Sequence, residues 1–210
     1  KGYNRIFLTM IRFLQENGTN LANINKYFSG LMGESTEWPT DDDFWSAWQS
    51  KHAYQMLNNE KIVNVFRRID ETFLSNKHEI ISIDGPLSVE HILPQGWIEN
   101  WLLPDGSKGM TNQELWNAQP GNGKADATNR RNSLLQTFGN LTILTQPLNS
   151  SLSNSGWNIK KPELLRSSLL PINQLLHDVS AWDEQAIENR SKKLFEKARE
   201  IWVGPVKSKK

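Results

Sequence analysis

Val89-Glu90-His91-Ile92-Leu93-Pro94-Gln95 is the stretch on which the reading of this chain turns. It places a carboxylate and an imidazole side by side at the end of an apolar run. Pro94 has no amide hydrogen to give to a ladder and so stops strand pairing there. Neighbouring strand residues point to opposite faces. Glu90 and His91 can therefore serve one site only where the strand ends or bends, which Pro94 allows.

Working outward, 79–84 and 87–93 read as two short strands around an Asp84-Gly85-Pro86 turn. Residues 96–138 are rich in Gly, Asn and Pro and read as a long insertion with one short helix near Glu114 and Trp116. A loop of that length inside a compact domain is usually functional or disordered. Gly139-Asn140-Leu141-Thr142-Ile143-Leu144-Thr145 is a further strand, 140–145. Pro147, suited to a first helical turn, then opens a helix carrying Asn149. Asn140 and Asn149 also begin glycosylation triplets, but no secretion signal accompanies them, and we read both as chance.

Helices flank this centre. Tyr3, Ile6, Phe7, Met10, Ile11 and Leu14 lie on one face of a helix over 1–16, with Asn17-Gly18 as its stop. A short helix follows over 20–32. Pro39-Thr40 before Asp41, Asp42 and Asp43 marks a capped helix start, and the three carboxylates suit a solvated first turn better than a metal site. Ile62, Phe66, Ile69 and Phe73 stripe a helix over 59–75. Residues 162–178 read as helical with a break at Pro171. Ser180 to Asp183 resembles a capping box ahead of a long helix to about Trp202, with Ile187, Leu194, Ala198 and Ile201 inward. The fold class expected is α+β and mostly helical. The expected parts are helical 1–78, a core over 79–160 with the insertion 96–138, and C-terminal helices with a basic tail over 161–210.

Composition narrows the function classes. A chain of 210 residues with 37% apolar content folds around a real core. Nine Trp suit a core better than base stacking. The net charge of +1 confines any phosphate-binding surface to a local patch. The absence of Cys excludes disulfides, a thiol nucleophile and a Cys-based zinc site, and fits a reducing cytoplasm. No apolar run approaches the roughly 20 residues that span a bilayer. The start lacks Met and enters a helical pattern at once, so the chain reads as the C-terminal part of a longer protein.

The two central clusters together resemble the HNH, or His-Me finger, nuclease motif: a strand with acid and His, a strand beginning with Asn, and a helix with a third polar ligand. The step of nine from Asn140 to Asn149 and the Glu-His-Ile-x-Pro-Gln string look like the HNH domain of RNA-guided CRISPR effector nucleases. The wider chain is similar to the C-terminal nuclease domain of GmrSD-type modification-dependent restriction enzymes. That likeness rests on Trp38-Pro39-Thr40-Asp41, 90–95, 139–144, Asn149, Asn154, Lys160-Lys161 and the late helix with Arg190. The segment between Trp97 and Phe138 departs from it.

The resemblance implies a small ββα-metal finger between helices, and cleavage or nicking of foreign DNA in a bacterial restriction or antiphage system. The residue types suit that chemistry. A neutral His91 can take a proton from water, worth roughly 10²–10⁴ in rate. Glu90 and Asn149 carry hard oxygens suited to Mg²⁺ or Mn²⁺. Asn140 is implied to orient the His91 loop. Arg130-Arg131 and Lys160-Lys161 are the candidates to hold DNA phosphates. No Walker A pattern occurs, so the implied NTPase or sensor partner lies in an N-terminal region beyond these residues. Taken singly, Glu90 could be a solvated strand end, Asn149 a helix cap and His91 a buried structural His. A catalytically idle nucleic-acid-binding module and a helical interaction module stay open as alternatives.

Overall fold

The structure, a computed structural model, describes residues 2–33, 36–75, 83 and 85–205. The expected strand over 79–84, its turn at Asp84 and the basic tail beyond 205 lie outside the described residues. The chain divides into two units, Lys1–Ser46 with Trp202–Lys210, and Ala47–Ile201.

In the first unit α1 (Tyr3–Asn17) and α2 (Leu21–Ser29) pack on each other. Gly18 ends α1 at φ 94°, a left-handed conformation that glycine adopts without a Cβ clash. Asn20 caps α2 by accepting from the Asn23 amide at 2.9 Å. Tyr27 ties the pair together, its hydroxyl donating to the Ile6 carbonyl at 2.7 Å. Thr40 and Asp43 form a reciprocal cap for α3 (Asp41–Ser50), the Thr40 hydroxyl lying 2.6 Å from the Asp43 carboxylate. The capped start at Pro39-Thr40 is therefore found, with its carboxylates in the first turn.

The second unit begins within α3 and carries the remaining elements. These are α4 (Ala53–Met56), α5 (Asn59–Glu71), β1 (Leu87–His91), a 3-10 turn (Trp97–Glu99), α6 (Asn112–Trp116), α7 (Gly123–Leu134), β2 (Leu141–Thr145), α8 (Gln146–Leu152), α9 (Trp157–Ser167), α10 (Pro171–Gln174) and α11 (Glu184–Ile201). Ile62, Phe66 and Ile69, spaced four and three apart, are fully buried on one face of α5. They sit beneath the only sheet found among the described residues.

That sheet is a two-stranded antiparallel ribbon, Leu87 opposite Thr145 through His91 opposite Leu141. Two strands alone are marginal in water. This ribbon is held by packing: α5, α8 and the core of Ile92, Leu93, Trp97, Leu144, Leu152 and Leu164 surround it. Every residue of β2 from Leu141 to Leu144 is buried, Thr142 with its hydroxyl bonded to Asn173, which explains why the strand lacks a strict apolar–polar alternation. Gly139 lets the chain entering β2 lie against α11. A Cβ there would stand 2.6 Å from the Ile187 carbonyl and 2.9 Å from the Ser191 Cβ.

Three expectations need correction. The segment 96–138 is more ordered than its composition suggests, because α7 occupies twelve of its residues. Its helix is polar and buries only Ala125, Thr128 and Arg131, so no apolar periodicity announces it. The helix expected over 162–178 begins at Trp157, passes through Pro162 and ends at Ser167, with α10 a separate turn started by Pro171. The cap of α11 is Asp183, whose carboxylate accepts from the Ala186 amide at 2.8 Å, rather than Ser180.

Candidate active site

The site grows from the end of β1. Strand alternation sends Ser88 and Glu90 to one face and Val89 and His91 to the other. Asn149, one turn into α8, lies on the Ser88 and Glu90 side. Its Nδ2 donates to Ser88 Oγ at 2.8 Å and to the Val89 carbonyl at 3.3 Å. Both bonds use the amide nitrogen and leave Asn149 Oδ1 uncommitted to the strand. Glu90 and Asn149 are thus brought to one edge of the ribbon.

Glu90 meets a cation of the protein itself. Lys160, on α9, donates from Nζ to Glu90 Oε1 at 2.5 Å and to the His91 carbonyl at 2.8 Å. The Lys160 side chain is 0% exposed and that of Glu90 12%. Burial pushes the Glu90 carboxyl above the usual carboxylate range and the Lys160 ammonium below its own, and each charge draws the other back.

His91 faces a different set. Its Nε2 is 3.0 Å from Gln136 Oε1, and its ring stands edge-on to Tyr54 with centroids 4.5 Å apart. Gln136 Nε2 in turn donates to Gln95 Oε1 at 3.2 Å. With the Gln136 oxygen facing the imidazole, this network favours the tautomer that carries its proton on Nε2 and keeps the Nδ1 lone pair. Burial, the largest cause, lowers the His91 pKa; the bond to Gln136 opposes it and the Lys160 charge adds to it. The ring is therefore neutral near pH 7. No hydrogen bond or ion pair among the described residues joins the His91 ring to the Glu90 carboxylate.

Asn140 locks the two strands at this end. Its Oδ1 accepts from the Leu93 amide at 2.8 Å and from Trp182 Nε1 at 3.0 Å. Its Nδ2 donates to the carbonyls of Leu93 at 2.9 Å and Leu135 at 3.0 Å. All four hydrogen-bonding positions of this fully buried amide are used. Arg190 supports the same corner from α11, donating from Nη1 to the carbonyls of Gly139 at 2.9 Å and Leu141 at 2.7 Å.

The four expected phosphate contacts divide. Arg131 is 2% exposed, pairs with Glu184 at 2.5 Å and lies over Trp97. Lys160 is enclosed as described. Neither presents its charge to solvent, so neither is placed to meet a phosphate at the surface. Arg130 is exposed and reaches Glu188 at 3.2 Å. Lys161 donates to the Val179 carbonyl at 2.8 Å. Gln136, Tyr54, Trp182 and the inward role of Lys160 were not legible in the sequence. Gln136 stands 45 residues from His91, and no local spacing links them.

A divalent cation suits these donors. One carboxylate and one amide oxygen share a strand edge, and no group of three or more His, Cys, Asp or Glu occurs among the described residues. Glu90, through the oxygen that Lys160 leaves free, and Asn149 are the residues that would hold such a cation, and hard oxygen donors of this kind are chemically suited to Mg²⁺ or Mn²⁺.

No curated protein and no solved structure matches this chain. The family model described as GmrSD restriction endonucleases, C-terminal domain, matches residues 38–197, which span both motif strands, α8, Lys160 and most of α11. By that match this chain belongs to the family of GmrSD restriction endonuclease C-terminal domains.

Proposed function

We propose that this chain is the metal-dependent DNA endonuclease domain of a restriction or antiphage protein, working as an HNH, ββα-metal finger. The observation that carries it is the corner at Asn140. One buried amide fixes the end of the strand bearing Glu90 and His91 to the start of the strand that leads into Asn149. Family membership supplies the reaction class.

In this reading His91 accepts the proton of the attacking water at Nδ1, because Gln136 holds the Nε2 proton. Burial keeps the imidazole neutral and ready to accept it. Glu90 and Asn149 hold the cation, and Asn140 fixes the backbone that presents His91. When bound, Mg²⁺ or Mn²⁺ supplies positive charge against the phosphate and the leaving oxygen. Arg130 and Lys161 remain the phosphate-contact candidates. So few contacts give weak binding without base preference, which leaves target choice to an N-terminal sensor region.

The test is incubation of supercoiled plasmid with the purified chain and Mn²⁺, then Mg²⁺, then excess chelator. Nicked or linear product that disappears with chelator supports the assignment. No cleavage under any metal, with the protein folded, favours the catalytically idle module.

A further inference from the structure

Buried lysines are rare because an ammonium loses its hydration unless the protein replaces it. Lys160 is fully enclosed, and two of its three donors are spent on the acid-His pair: one on the Glu90 carboxylate, one on the His91 carbonyl. Helix formation does not itself require a charge at this position, since Leu and Lys have similar helix propensities. Conversely, the neighbouring Lys161 turns to a carbonyl on another segment, so the inward turn belongs to Lys160 and is not a general property of α9.

We infer that Lys160 is a positioning residue of the reaction: it holds the Glu90 carboxylate by Oε1 and the His91 backbone in one grip, so that a divalent cation meets Glu90 through its remaining oxygen. This rests on the nuclease reading above and adds to it a second, resident cation. Two consequences follow. The carboxylate cannot rotate away from the strand edge, which preserves the geometry of the catalytic step. Its charge is also shared between Lys160 and the metal, so the metal is held less tightly than an unshared carboxylate would hold it.

The experiment uses the full chain and compares wild type, Lys160→Met and Lys160→Gln. Plasmid cleavage is followed against Mn²⁺ concentration, and Tm by circular dichroism. The Met variant is expected to have a Mn²⁺ midpoint at least about threefold lower and a rate at saturating Mn²⁺ at least about tenfold lower. Should the Met variant not fold, the Gln variant, which keeps a neutral donor, reports the same two quantities. It is expected to share the lower midpoint and to lose less of the saturating rate. A purely structural lysine would lower Tm, and with it the amount of active enzyme, without moving the midpoint. An unchanged midpoint in folded variants that cleave overturns the inference. Failure of the wild type itself to cleave, or to bind Mn²⁺ in a direct titration, overturns the nuclease reading instead.

Discussion

Asn140 grips both backbone polar groups of Leu93, accepting from its amide at 2.8 Å and donating to its carbonyl at 2.9 Å. Leu93 lies just beyond the end of β1 and Asn140 just before the start of β2, and the bond pair ties these two strand ends together. Asn140→Ala would strand the Leu93 amide and carbonyl, the Leu135 carbonyl and Trp182 Nε1 in a buried site. Each orphaned group costs about 1–3 kcal/mol. Urea unfolding is expected to show a loss of at least about 3 kcal/mol. A loss below about 1 kcal/mol would mean that the corner relaxes without this amide.

Gly139, the residue before Asn140, has no room for a side chain. A Cβ would press on the Ile187 carbonyl, a backbone atom that moves only with α11. Gly139→Ala is expected to cost about 1–3 kcal/mol by overpacking. Thermal unfolding measures it, and an unchanged Tm would show that α11 gives way freely.

Gln136 is expected to set the tautomer of His91. In wild type, ¹⁵N chemical shifts of the imidazole should report a proton on Nε2 near pH 7. Gln136→Leu removes that acceptor and should reduce cleavage about tenfold with little loss of helical signal. A wild-type spectrum showing the proton on Nδ1 would exclude Nδ1 as the proton acceptor.

Asp70 gives the fold a pH dependence away from the active site. Burial, opposed by the bond from the Ile172 amide at 2.8 Å and helped by Glu71, raises its pKa from 3.8 to about 6. The folded state thus holds this proton to higher pH than the unfolded chain does. The associated stability is present below about pH 4 and is lost as pH rises through about 6. Asp70→Asn keeps an acceptor for Ile172 without the buried charge. Its stability relative to wild type should therefore rise between pH 3 and pH 7, by up to about 3 kcal/mol. A difference independent of pH over that window would contradict the raised pKa.

How much of this was legible in sequence depends on how local the cause is. Thr40 and Asp43 are three residues apart, and their cap is written in the chain. The β1 and β2 strands and the α5 stripe follow from apolar spacing, as does the placing of Asn140 and Asn149 at the two ends of one strand-helix unit. The charge of Lys160 and Arg131 suggested solvent, whereas each is buried by a carboxylate far away in sequence, Glu90 and Glu184. The polar surface of α7 concealed a helix that is held through Thr128 and Arg131 rather than through an apolar face. Gln136 and Tyr54 meet His91 only through the tertiary fold.

The most direct test of the account is the rate of Mn²⁺-dependent plasmid cleavage by wild type and His91→Ala, with matched circular dichroism spectra. The variant is expected to keep its fold, since His91 makes one side-chain hydrogen bond and one ring contact, and its rate is expected to fall at least about 100-fold. Cleavage at the wild-type rate by a folded His91→Ala protein would contradict the assignment of His91 as the general base.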